Sequence, residues 1–319
     1  MSVRLWSSAA WREQAVGWID RRLADAGRAR TGEVEQPRVR PWATVLRAPT
    51  EDGDVWMKAA GPATAFEAGL YELLAGEAPG DVLVPLAVDV PRGWILLPDG
   101  GPSGGEDALP AALGQYGRLQ RALAPHADAL PALGVPDMRP EVMPERFEEA
   151  LEAARASAPS VPPAGAPSPS AASPAGTLAA VEALRDDVAR WSERLADSPV
   201  PASLDHNDLH KENVLGDGPY RFYDWGDAVV AHAFAALLVP SQVLSPGAFA
   251  RARAAYLEAF ADLAPPDRLA EDLVLACRIA RVARTLTWER ALRSAHDQDE
   301  PIDPLFTHAP FEELTELLV

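Results

Sequence analysis

The chain has 319 residues, 48% of them hydrophobic, and carries 29 basic against 47 acidic side chains, a net charge of −18. That length and apolar content suit about two domains with a sizeable core, while so acidic a chain repels a phosphate backbone and argues against a nucleic-acid partner. One cysteine, Cys277, excludes a disulfide within the chain, and no run approaches the length of a membrane span, so the expectation is a cytoplasmic protein with no membrane partner.

Residues 9–26 place Trp11, Ala15, Trp18, Ile19 and Leu23 at helical spacing, which predicts a helix capping the first domain. Strands are predicted at 34–39, 43–48 and 54–59, the last two joined by the turn Glu51-Asp52-Gly53. Lys58 lies two residues beyond Trp56, on the same face of the third strand. Pro62-Ala63-Thr64 then opens a helix whose buried stripe is Phe66, Leu70, Leu73 and Leu74. Two more strands follow, at 82–90 and 93–97, and Leu97-Pro98-Asp99-Gly100-Gly101 ends the second of them. Lys58 stands out for another reason. The only other lysine among the 29 basic residues is Lys211. A chain that writes arginine nearly everywhere invites a reason for two lysines, and a compact ammonium enters a tight phosphate site that a broad guanidinium does not.

Helices are predicted around 109–123 and 144–154. The stretch 157–173, SAPSVPPAGAPSPSAAS, is nearly all Ala, Pro and Ser and reads as a flexible insertion. A helix at 178–196 resumes the fold and leads into SLDHNDLHKENVLGDGPYRFYDWGD, residues 203–227. Here Val214 and Leu215, a Gly-Asp-Gly-Pro cluster, and Tyr220, Phe222 and Tyr223 make an apolar run, a breaker and an aromatic run, the pattern of a hairpin. A hairpin brings its ends together, so Asn213 before it and Asp224 after it should meet, with Asp208 in the loop feeding that end. Two carboxylates and an amide oxygen form a hard-oxygen set suited to magnesium.

His-x-Asp-Leu-x-x-x-Asn followed by Asp-x-Gly resembles the catalytic and metal-binding loops of the protein-kinase fold. The form His-x-Asp-Leu-His, without an arginine after His206, is more similar to the aminoglycoside phosphotransferase and choline kinase branch. That resemblance implies an α+β fold of two lobes, a small antiparallel-sheet lobe over residues 1–100 and a larger, mainly helical lobe over 101–319. It also implies transfer of the γ-phosphoryl group of ATP to a hydroxyl of a small molecule. Asp208 would accept the hydroxyl proton, and Asn213 and Asp224 would hold Mg2+ at the phosphates. His206 would brace the loop, with Lys211 in support. Lys58 falls where the phosphate-gripping lysine belongs, and Glu67 where the helix glutamate that orients it belongs. Taken alone Glu67 reads as a surface helix charge, with Glu72 a competitor. An adenine ring would sit at the hinge, near Leu97 and Asp99. The loop Arg38-Val39-Arg40-Pro41-Trp42 departs from the protein-kinase pattern because it holds no glycine, and phosphate cover would fall to Arg38 or Arg40.

Helices at 246–261 and from an Asp267 cap to about Arg293 complete the chain. Arg278, Arg281 and Arg284 recur every three residues, for which a solvated or ion-paired face is the simpler reading. In the resembled family the carboxyl-terminal helices wall the acceptor site, so Glu289 and the acids near 297–300 are candidates to meet an acceptor amine, as in an aminoglycoside, amino sugar or amino alcohol. Two rivals stand beside this reading. A metal-dependent hydrolase would use His206, Asp208 and His210, which face one way in a strand. A catalytically inactive nucleotide-binding kinase fold would lack one of Asp208, Asn213, Asp224 and Lys58, and all four are present.

Overall fold

The computed structural model describes residues 3–159, 173–297, 300 and 302–319. Helix α1 (Val3–Trp6) leads into α2 (Ala9–Asp25), whose Ser8 cap accepts from the Trp11 amide. The helical spacing holds: Trp11, Ala15, Trp18, Ile19 and Leu23 are the buried residues of α2. They pack on one face of a five-stranded antiparallel sheet built from β1 (Glu35–Val39), β2 (Ala43–Thr50), β3 (Gly53–Ala60), β4 (Ala87–Asp89) and β5 (Trp94–Pro98), in the order β1-β2-β3-β5-β4. On β3, alternation sends Val55, Met57 and Ala59 into that core and leaves Trp56 and Lys58 on the opposite face. Helix α3 (Phe66–Glu77) follows a short 3-10 turn at Pro62–Thr64. The expected strand at 82–90 shrinks to Ala87–Asp89. Pro85 has no amide to donate, and Val82 instead makes an isolated parallel bridge to Phe222.

The remainder is mainly helical: α4 (Gly105–Leu123), β6 (Asp137–Met138), α5 (Met143–Ser157), α6 (Pro174–Glu182), α7 (Arg185–Ala196), β7 (Ala202–Asp205), β8 (Val214–Leu215), β9 (Arg221–Phe222), β10 (Val229–His232), α8 (Leu238–Val243), α9 (Pro246–Glu258), α10 (Pro266–Asp297) and α11 (Ala309–Thr315). This is the α+β arrangement expected, with a small antiparallel sheet and a larger helical part. Two expectations are corrected. The helix at 178–196 is two helices, because the chain turns at Ala183 and Leu184; the apolar stripe through Val181, Val188 and Leu195 runs across the break, so periodicity alone gives no sign of it. Pro266 opens α10, which places Asp267 in the first turn rather than at the cap, where its charge still faces the helix dipole favourably. The insertion proposed at 157–173 falls mostly on 160–172, outside the described residues; Ser157 ends α5 and Ser173 caps α6 through the Gly176 amide. Among the described residues no helix is long and apolar enough to cross a membrane.

The hinge after β5 is set by close packing. A β-carbon on Gly100 would lie 2.2 Å from Leu215 Cδ1 and 3.0 Å from Leu83 Cδ1. A side chain at this position would have to displace the Leu215 and Leu83 methyls, so glycine lets the backbone pack closely against β8.

Candidate active site

A cleft of about 450 Å³ opens between the sheet and the β8–β9 hairpin. Its walls include Arg38 from β1, Arg40 and Trp42 from the β1–β2 loop, Trp56 and Lys58 from β3, Glu67 and Tyr71 from α3, Leu97 to Gly101 from the end of β5 and the hinge, and Leu215, Tyr223 and Asp224. Lys58 is the junction. Its Nζ lies 2.6 Å from Glu67 Oε2 and also donates to Asp224 Oδ1. Glu67 is therefore no surface charge: its side chain is fully buried, while Glu72 is exposed. Burial works against charge at both ends of the pair. It lifts the Glu67 carboxyl to about 7 and pulls the Lys58 ammonium down. The two carboxylates beside Lys58 outweigh that and hold its pKa above the usual lysine value. Gly226 makes room for this contact, since a β-carbon there would sit 3.2 Å from Lys58 Nζ and 3.3 Å from Glu67 Oε2.

The hairpin forms as expected, with Val214 opposite Phe222 and Leu215 opposite Arg221. Its closure brings Asn213 beside the Asp224 segment, where the Tyr223 amide donates to the Asn213 carbonyl at 3.3 Å. Asp224 takes a left-handed conformation, φ 64°, and its amide donates to the Tyr71 hydroxyl at 3.3 Å. Burial alone would raise the Asp224 carboxyl, but Lys58 holds it below the usual carboxylate range.

Asp208 comes from the loop after β7. Asn213 Nδ2 donates to the Asp208 carbonyl at 2.9 Å and lies 3.4 Å from its Oδ2. His210 Nε2 stands 3.2 Å from the same carboxylate, and Arg284 Nη1 lies 3.3 Å from Oδ1. Burial pushes the Asp208 carboxyl upward; the His210 contact and the Arg284 charge overcome it and bring the pKa to about 2. The charge of Asp208 reaches Asp224 in turn. His206 ties the two loops together from behind. Burial lowers its pKa, so the ring is neutral, and its Nε2 lies 2.9 Å from the Tyr223 carbonyl, which makes Nε2 the protonated nitrogen. The His206 amide donates to Tyr116 Oη of α4 at 2.7 Å, and its ring packs 4.7 Å from Trp225. His206, Asp208 and His210 do not share a face: His206 turns to Tyr223 while His210 bridges Asp208 and Glu212. Among the described residues no group of three or more His, Cys, Asp and Glu is placed to hold a metal ion.

The remaining expected residues lie at the edges. Leu97 is buried in β5 opposite Trp56 and lines the cleft floor. Asp99 lines the mouth, its carboxylate accepting from the Gly101 amide at 2.8 Å. Lys211 begins the 3-10 turn Lys211–Asn213, with Nζ 3.9 Å from Glu212 Oε1 and its carbonyl accepting from the Ser103 hydroxyl at 2.6 Å.

Sequence reasoning missed Arg284, Asp227 and Asn207. Of the solvated or ion-paired face expected for the three spaced arginines, the ion-paired alternative holds for Arg281 and Arg284. Arg278 stacks 4.5 Å from the Trp191 ring, Arg281 pairs with Glu313 at 2.8 Å, and Arg284 reaches the loop that carries Asp208. Its Nη1 donates to the Asn207 carbonyl at 2.5 Å and lies 3.5 Å from Asp227 Oδ2. Asn207 adopts φ 59°, and its Nδ2 bonds Thr287 Oγ1 at 2.9 Å and the Asp227 carbonyl at 3.2 Å. Asparagine tolerates this left-handed conformation, and Asn207 is the middle residue of His-Asn-Asp.

No protein-family model and no curated protein sequence matches the chain. Solved structures do match. The macrolide 2′-phosphotransferase apoenzyme of Brachybacterium faecium is 18% identical, with a TM-score of 0.57 over 94% of this chain and 98% of its own. The choline kinase of Streptococcus pneumoniae is 16% identical, with a TM-score of 0.59 over 96% and 99%. A GDP and kanamycin complex of an APH(2″) enzyme is 16% identical, with a TM-score of 0.55 over 96% and 98%. The chain has the protein-kinase-like fold that these structures share. Within that fold, the β3 lysine and α3 glutamate meet the Asp-x-Gly loop across the cleft.

Proposed function

We propose that this protein is an ATP-dependent phosphotransferase that moves the γ-phosphoryl group of ATP to a hydroxyl of a small molecule. The observation that carries the reading is the junction of Lys58, Glu67 and Asp224, formed from three separate elements, with Asn213 and Asp208 beside it. A cleft of about 450 Å³ is in the range of nucleotide pockets. In this reading the adenine lies toward Leu97 and Asp99, Lys58 holds the phosphates, and Arg38 and Arg40 cover them in place of a glycine-rich backbone. Lys211 and His206 support the loop.

The donor set fits magnesium. Asn213 uses its Nδ2 on Asp208 and keeps an amide oxygen, while Asp224 keeps a second carboxylate oxygen and is 37% exposed. Both are hard ligands suited to Mg2+, which when bound neutralises charge on the phosphates. Asp208 accepts the proton of the acceptor hydroxyl as that oxygen bonds to the γ-phosphorus. The bond from phosphorus to the β-bridging oxygen breaks, and ADP leaves. Catalysis is mostly alignment and charge compensation.

An amine on the acceptor is favoured because Asp208 and Asp227 share the one guanidinium of Arg284. Glu289, the other candidate from the sequence, is already paired with Arg293. A cytoplasmic location accords with the use of ATP. The test is ADP release with a panel of aminoglycosides, hexosamines, amino alcohols and hydroxy amino acids, each run with wild type and Asp208→Asn. Acceptor-dependent ADP release lost in the variant supports the reading; release that ignores every acceptor, or survives in Asp208→Asn, overturns it.

A further inference from the structure

A second pocket, of about 200 Å³, lies in the large lobe between β6 and the second half of α10. Its polar lining comprises Arg146 and Glu149 of α5 and Glu289, Arg290 and Arg293 of α10, together with Asp137. Most of these charges are already matched. Asp137 binds Arg139 at 2.7 Å, Arg146 pairs with Glu149, and Arg293 holds Glu289 through Nε at 2.9 Å.

Arg290 is the exception. Among the described residues it has no carboxylate partner within ion-pair distance. Its Nη2 donates to Thr287 Oγ1 at 2.8 Å, and its Nε is enclosed without a hydrogen-bond partner. Asp227 and Glu289 act on Arg290 only through space, and a guanidinium withdrawn from water without a directly paired anion is costly. Burial draws its pKa down to about 10, so it remains charged at neutral pH. The planar fork of an arginine is matched by a carboxylate or a phosphate.

The position of Arg290 connects this charge to the reaction. Thr287 Oγ1 is bonded both by Arg290 Nη2, at 2.8 Å, and by Asn207 Nδ2, at 2.9 Å. Asn207 directly precedes Asp208, and the charge of Asp227 acts on Arg290. Two hydrogen bonds, through Thr287 and Asn207, therefore link Arg290 to the loop that carries the proposed base.

We infer that the acceptor site contains an anion subsite centred on Arg290, which takes a carboxylate or phosphate group borne by the hydroxyl acceptor. This rests on the phosphotransferase reading and narrows it. The acceptor then carries its hydroxyl at Asp208 and its anionic group at Arg290.

Two measurements test the inference, and they fail in different ways. In the first, inorganic phosphate is titrated calorimetrically into the protein with the nucleotide cleft filled by a magnesium complex of a non-hydrolysable ATP analogue. Wild type should bind it, Arg290→Met should weaken binding about 10-fold or more, and Arg290→Lys should recover part of the loss, as expected for a charged hydrogen bond. In the second, turnover is compared within pairs that differ by the anion, ethanolamine against serine and glucosamine against glucosamine 6-phosphate. Wild type should prefer one anionic member in kcat/KM by about 10-fold or more, and Arg290→Met should lose that preference while its thermal midpoint stays near wild type. The serine and sugar-phosphate pairs tell carboxylate from phosphate. Absence of phosphate binding, or binding that is equal in Arg290→Met, overturns the inference whatever the turnover. Phosphate binding with no preference within either pair also overturns it, since the site then serves a free anion. Arg290-dependent binding with no turnover of any acceptor overturns the phosphotransferase reading, and the acceptor role with it.

Discussion

Arg284→Met is the substitution that bears most directly on how the large lobe holds Asp208. Methionine keeps the length and the packing of the stem but removes the charge and the donors. The arginine is 11% exposed, with Nη1 2.5 Å from the Asn207 carbonyl, 3.3 Å from Asp208 and 3.5 Å from Asp227. At about 3.5 Å and an effective dielectric of about 20, one such pair attracts by roughly 5 kcal/mol. The carboxylates are 28% and 32% exposed, and water compensates part of that loss. Breaking a buried pair by removing one partner typically costs about 3–5 kcal/mol, and the lower end applies here. The expected result is a loss of about 3 kcal/mol in urea unfolding and a thermal midpoint lower by roughly 5–10 °C. Because Asp208 loses a tether rather than a substrate contact, kcat should fall about 10- to 100-fold with little change in KM for ATP. Asp227→Asn in the same background completes a double-mutant cycle, with an expected coupling of about 1–2 kcal/mol. If the two changes add to within about 0.5 kcal/mol, or kcat is unchanged, Arg284 is not matched to these carboxylates and the reasoning fails.

Asp208→Asn should lower turnover about 10²- to 10⁴-fold and leave nucleotide affinity near wild type, whereas Asp224→Ala should weaken binding of the magnesium nucleotide; equal losses of affinity in a fluorescent-nucleotide titration would refute the division. The Asp227 carboxyl is raised to about 6, first by burial and then by Asp208. A raised folded pKa adds stability that is complete below the unfolded value of about 3.9 and disappears as pH climbs through about 6. Asp227→Asn should therefore be more stable than wild type at pH 8, with the advantage gone at pH 4; a difference that does not vary with pH in denaturant melts would contradict this. Removal of divalent ions with EDTA should abolish acceptor-dependent ADP release and weaken ATP binding, restored by Mg2+; ATP affinity indifferent to Mg2+ would count against Asn213 and Asp224 as the ligands.

Much of this site was legible because its signals are local. The hairpin of residues 214–222 announces itself by an apolar run, a breaker and an aromatic run, and it alone places Asn213 next to Asp224. Alternation along β3 puts Lys58 on the cleft face without any tertiary information. Glu67 was harder. Its partner is fixed only when α3 packs beside β3, and a glutamate in a first helical turn looks equally natural in solvent. Arg284 was not legible at all. It lies 76 positions beyond Asp208 on a helix whose period reports which side faces the core, not which charge awaits it there. The short strand at Ala87–Asp89 and the break before α7 failed for smaller reasons, a proline amide that is missing and a turn that leaves the apolar stripe intact.

The charges of the site explain why the two cations are shared as they are. Lys58 faces Glu67 and Asp224, and Arg284 faces Asp208 and Asp227, so each of these cations faces one carboxylate more than it balances, with His210 sharing Asp208. Burial reduces the surplus by lifting Glu67 and Asp227 toward neutrality, and it does not remove it. In the proposed reading a triphosphate would meet these carboxylates beside Lys58, with Arg38 and Arg40 on the cleft wall, and accompanying divalent ions would offset the repulsion that remains. The same surplus acts on the acceptor. In the proposed reading an amine would be drawn toward Asp208 and Asp227, while an anionic group on the same molecule would be repelled from them and turn to Arg290, which among the described residues has no carboxylate within ion-pair distance. A molecule with both groups would thereby be turned one way in the site, its hydroxyl presented to Asp208 by charge before any contact of shape is made.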